Sequence, residues 1–115
     1  MNKLQRHEAA QRRVRDALRT YGWTVLSLST TAPADLVAFR DGDNTSEDEL
    51  LLIEVKTGTG KLTPDQRALR ERHPGLFTEV RLKDRKWIVT GVSGRVVLDA
   101  LNGRIEGEFV REVHP

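Results

Sequence analysis

The sequence predicts an α/β domain, and three observations carry that prediction. An amphipathic helical stripe opens the chain, three short apolar runs separated by turn-forming residues follow, and a second helix start precedes further strand-like runs. With 115 residues and no apolar tract long enough to span a bilayer, residues 1–115 are expected to form one domain around one core.

From Lys3 to Tyr21, Ala10, Val14, Ala17, Leu18 and Tyr21 recur at helical spacing, and Gly22 stands where a left-handed cap usually closes a helix. Arg12, Arg13 and Arg19 project away from that stripe, where they serve either as solvated surface or as a face that tracks a phosphate backbone. His7 falls near the centre of the stripe and is expected to be a hydrogen-bonded core residue; Glu8 falls at its edge. The runs "WTVLSLS" (23–29), "DLVAFR" (35–40) and "LLLIEVKT" (50–57) predict three strands. The acidic segment 41–49 is the loop of a hairpin between the second and third.

Thr63, Pro64 and Gln66 have the form of a helix start: a hydroxyl at the N-cap, proline at the first helical position and glutamine placed for a capping box. That helix is expected to end near His73, ahead of Pro74 and Gly75. Beyond it, "LFTEVRL", "KWIVTGV" and "GRVVLDAL" are all expected to be strands, with Trp87, like Trp23, in the core.

The chain has 19 basic and 17 acidic residues, a formal net charge of +2, but the charges are segregated. Residues 41–50 hold five acids and no base, which leaves 19 bases against 12 acids elsewhere. Fourteen of the bases are arginine, whose planar fork suits phosphate, so the balance favours a nucleic-acid partner. Arg12 and Arg13, with Lys61 and Arg67 around the second helix, are the candidate backbone contacts. There is no cysteine, which excludes a disulfide framework and a Cys-ligated metal or cluster site. The N-terminal stretch is charged from its start and lacks a signal-peptide core, so a cytoplasmic protein without membrane attachment is expected.

The decisive stretch is "LLIEVKTGTGKLTPDQ", residues 51–66. It is not a phosphate loop: Val55 occupies the leading glycine position and Leu62 the hydroxyl position that would ligate magnesium. A dinucleotide fingerprint fails as well for want of a third glycine, so no nucleotide cofactor is expected. Strand alternation instead places Leu51, Ile53 and Val55 on one face, and Glu54 and Lys56 on the other. Two opposite charges there end an otherwise apolar run, and burying them without partners would cost several kcal/mol. A divalent metal shared with a second acid answers that cost. Asp35, 19 residues before Glu54, heads the preceding strand and comes within reach if the hairpin pairs. A lysine beside such a site orients or deprotonates water, or neutralises charge developing on phosphate. An ordinary ion pair on a half-exposed strand is the other reading of the same residues.

"PADL" followed by "IEVK" resembles the PD-(D/E)xK nuclease superfamily, and the order of elements over positions 8 to about 82 is most similar to its VRR-NUC and archaeal-type Holliday-junction-resolvase groups. The resemblance implies a restriction-endonuclease-like core, a mixed central sheet flanked by helices, here with extra C-terminal strands. It implies magnesium as cofactor, with manganese as a substitute. It makes Asp35 and Glu54 metal ligands, the Val55 carbonyl and Glu8 auxiliary ones, Lys56 the catalytic lysine, and Gln66 the glutamine that follows the lysine strand. The capping box with Thr63 is the favoured account of Gln66. Three departures stand out: Pro33 and Asp35 are separated by Ala34, no glycine precedes the proline, and position 70 is Arg70 where some relatives carry tyrosine.

The expectation is therefore a metal-dependent endonuclease cleaving DNA phosphodiesters, selective for junction, flap or branched structure, and acting as a homodimer. A chain this small has little room for a base-reading module. The alternatives are a non-catalytic nucleic-acid-binding module of the same fold, or a subunit of a restriction or phage replication assembly.

Overall fold

A computed structural model describes residues 2–29, 31–40 and 49–112. The elements follow in the order α1 (Lys3–Thr20), β1 (Thr24–Ser27), β2 (Leu36–Arg40), β3 (Glu49–Thr57), α2 (Pro64–Arg72), β4 (Phe77–Lys83), β5 (Lys86–Thr90), α3 (Gly94–Leu101) and β6 (Glu108–Glu112). Residues 41–48, most of the acidic segment assigned to the β2–β3 loop, lie outside the described residues.

The strands form one mixed six-stranded sheet in sequential order, β1 to β6. β1–β2, β2–β3 and β4–β5 pair antiparallel, whereas β3–β4 and β5–β6 pair parallel, each parallel step crossing over through a helix. The expected hairpin is present, with Leu36 opposite Ile53 and Phe39 opposite Leu50.

Helix α1 starts on a capping box in which Asn2 accepts from the Gln5 N–H and Gln5 accepts from the Asn2 N–H. Ala10, Val14, Ala17 and Leu18 form its buried stripe, and Gly22 (φ 98°) turns the chain out of the helix. Arg19, on the exposed side, donates to the Val25 carbonyl at 2.7 Å and so ties the end of the helix to β1. The core lies between α1, α3 and the sheet face that carries Val25, Leu36, Ala38, Leu51, Ile53, Val55, Val80 and Val89, with Trp23 and Trp87 inside it. On the opposite face, Leu26, Phe39 and Leu50 are exposed toward the β1 edge.

Two C-terminal expectations change. "GRVVLDAL" is the helix α3, not a strand, because Gly94, Val97, Ala100 and Leu101 bury one helical face, a periodicity that outweighs the β-branched pair Val96–Val97. Ser93 stands at its N-cap, but its hydroxyl donates to the Gly75 carbonyl (2.6 Å) instead of capping the helix. The second change is β6. This short, charge-rich segment becomes a strand by pairing along β5 and stacking Phe109 on Trp87, with ring centroids 6.4 Å apart.

Gly91, just after β5, adopts φ 139°, and a Cβ there would lie 2.8 Å from the Phe77 carbonyl oxygen. Close approach of two backbones requires glycine at this position.

Candidate active site

The site is built on one end of β3. The predicted alternation holds: Leu51, Ile53 and Val55 are buried on the face covered by α1 and α3, while Glu54 and Lys56 face the other way. Glu54 is 3% exposed and its Oε2 lies 3.6 Å from the Lys56 Nζ. Asp35 sits immediately before β2. Its backbone N–H donates to the Ile53 carbonyl (3.1 Å), and its carboxylate Oδ2 accepts from the Val55 N–H (2.8 Å). Asp35 is thus clamped to β3 across the hairpin and meets Glu54 despite the inserted Ala34, which is itself buried.

Helix α2 closes the site from above. The Gln66 side-chain Oε1 accepts from the Thr63 N–H at 2.9 Å, and the Gln66 backbone N–H donates back to the Thr63 hydroxyl at 3.2 Å, forming the expected capping box. Because its oxygen is occupied there, Gln66 turns its amide nitrogen to Glu54 and donates to Oε2. One side chain therefore both caps the helix and hydrogen-bonds the buried carboxyl.

Two donors, Lys56 and Gln66, converge on Glu54 Oε2, whereas Oε1 is buried without a hydrogen-bond partner among the described residues. A buried carboxylate oxygen in that state is costly unless it carries a proton or meets a cation. The carboxyl is accordingly pushed up to about 8. Burial is the main cause; Asp35 raises it further, by accepting a hydrogen bond from the protonated Glu54 carboxyl and by repelling the ionised one, with Lys56 opposing.

The remaining candidates are distributed differently. Glu8 is exposed on α1, and the α1 side chain brought toward Asp35 is His7, whose Nε2 lies 3.9 Å from Oδ2. His7 is therefore half-buried at the site and not a core residue, and its Nε2 is hydrogen-bonded to the Gln11 amide at 3.0 Å. Val55 enters through its N–H. Arg12, Arg13, Lys61 and Arg67 are all exposed. The sequence reading missed Glu79 and Arg81 of β4, which the parallel register places beside Glu54 and Lys56. They form their own ion pair at 3.0 Å, and Arg81 also donates to the Gly58 carbonyl at 3.0 Å. The Glu-x-basic spacing of "IEVK", which recurs in "TEVRLK", is the signal that could have found them.

The donor set fits a hard divalent ion that keeps most of its waters, since two carboxylates of adjoining strands meet and one buried oxygen lacks a partner. Among the described residues no group of three or more His, Asp or Glu side chains is arranged to hold a metal ion. No helix among them is long and apolar enough to cross a membrane. Comparison with family models and with curated proteins returns no match.

Proposed function

We propose that this chain is a magnesium-dependent deoxyribonuclease of the PD-(D/E)xK type, related to the VRR-NUC and Holliday-junction-resolvase-like nucleases and selective for branched, flap or junction DNA. One observation carries the reading: Asp35, Glu54 and Lys56 converge at the end of β3, and the partnerless Oε1 of Glu54 is left for a cation. Asp35 and Glu54 would hold the ion, with the Val55 carbonyl as an auxiliary ligand. A bound magnesium ion supplies Lewis-acid polarisation and lowers the proton affinity of water.

The chain's own residues do the rest. Asp35, fixed by the Val55 N–H, holds its carboxylate still. Gln66 orients Glu54 and keeps its other oxygen occupied. Lys56, half-buried beside Glu54, offers its ammonium to charge developing on the phosphate. A homodimer that presents two such sites to two strands belongs to the same proposal.

The test is cleavage of duplex, flap, junction and single-stranded DNA with magnesium, manganese or chelator. Asp35→Ala, Glu54→Ala and Lys56→Ala should each abolish cleavage while DNA binding survives. Full activity in Glu54→Ala would overturn the proposal. Metal-independent binding without any cleavage would support the second reading, a non-catalytic nucleic-acid-binding module, which the lack of a three-ligand group among the described residues favours.

A further inference from the structure

The connection between β4 and β5 consists of two residues, Asp84 and Arg85, with φ of 51° and 65°. Both lie in the left-handed region, the pattern of the mirror-image hairpin turn that favours Asn-Gly or Asp-Gly. Aspartate is at home in that conformation. Arginine in the second position is not, and a residue held against its backbone preference points to a use for its side chain.

Arg85 lines a groove of about 750 Å³. It is lined by Lys3, Arg6 and Arg13 of α1, by Lys83 and Arg85 of the hairpin, and by residues 57–60 after β3. Lys3, Arg6 and Arg13 fall on one stripe of α1, at steps of about 4.5 and 10.5 Å along the axis for a rise of ~1.5 Å per residue. All five cations are exposed, and among the described residues none is in an ion pair. Asp84 is the one acid lining the groove. Five exposed cations against one acid give the groove a positive field that draws a polyanion.

The groove also has a definite position. Its lining includes Thr57, the residue after Lys56, so it opens at the same end of the sheet as the carboxylate pair but on the α1-covered face, around the end of β3 from the side to which Glu54 and Lys56 point. We infer that this groove binds the sugar-phosphate backbone of DNA beside the scissile site, with Arg85 held in its left-handed turn to reach a phosphate. Lys3, Arg6, Arg13 and Lys83 take neighbouring phosphates. This inference rests on the nuclease reading for the identity of the polyanion and extends it to where the substrate runs.

The experiment is anisotropy of a labelled DNA duplex bound to the full chain in chelator, across a salt series, so that binding is read without cleavage. Arg85→Gly places in the turn the residue that its backbone prefers, so the variant should melt no lower than the parent. It should nevertheless bind several-fold more weakly, with a salt slope smaller by about 0.9 for the lost contact. Arg6→Ala with Lys83→Ala should lower the slope by about twice that. Arg95→Ala, an exposed cation on α3 outside the groove, should bind like the parent. If the parent binds and cleaves while both groove variants keep its affinity and slope, the groove is wrong and the nuclease reading stands. If the parent binds no DNA, both fall. If poly-glutamate displaces the duplex equally well per charge, the groove recognises acidic protein and the inference is overturned.

Discussion

Glu54 concentrates the chemistry of this molecule in one carboxyl group. Its folded-state value of about 8 stands above the ordinary 4.5, so between those limits the folded chain binds more protons than the unfolded one. Native stability therefore falls as pH rises through that window. Glu54→Gln keeps the shape and an acceptor for Gln66 and Lys56 but cannot ionise. Urea unfolding at pH 5.5 and 8.5 should show the parent losing stability relative to this variant at the higher pH; parallel behaviour of the two would refute the assignment. A divalent ion competes with the same proton. Manganese should raise the melting temperature more at pH 8 than at pH 6, reaching a gain of about 2.7 kcal/mol at ~100 times its dissociation constant. Asp35→Asn should remove that gain. These residues were legible because each clue is local: alternation sets Glu54 and Lys56 on one face, and the hairpin brings Asp35 to them. The partnerless oxygen was not, since the two donors on Oε2 come from different elements.

Among the elements, α2 links stability to the site. Gln66→Ala removes an arm of the capping box and a donor to a buried carboxyl, and should cost about 1–3 kcal/mol. Thr63→Ala leaves the donor in place and should cost about 1 kcal/mol. Equal losses in thermal melts of the two variants would show that the Gln66–Glu54 bond contributes nothing beyond the cap. After β5, Gly91→Ala places a methyl group against the Phe77 carbonyl at a backbone angle that alanine resists, so it should destabilise by more than ~1 kcal/mol. The capping box was legible because its residues lie within one turn. α3 and β6 were misread or missed for opposite reasons. Within α3 the β-branched pair Val96–Val97 suggests a strand, and β6 is a strand only because β5 offers it an edge.

For the molecule as a whole, the decisive variables are charge placement and assembly. The proposed homodimer predicts a mass of two chains by sedimentation equilibrium at micromolar concentration; a single-chain mass at every concentration would leave two-strand cleavage to successive events. What the sequence determined by itself is the α/β class, the β2–β3 hairpin and the local Asp35–Glu54–Lys56 pattern, because helical and strand periodicity and short turns act between neighbours. Only the tertiary structure decided the rest. The parallel register of β3 and β4 sets Glu79 and Arg81 beside Glu54 and Lys56, packing turns His7 to Asp35, and the β4–β5 turn faces α1 across a basic groove. Each of these joins residues remote in the chain, and such pairings are selected by the burial of a shared core, which no short stretch of sequence expresses.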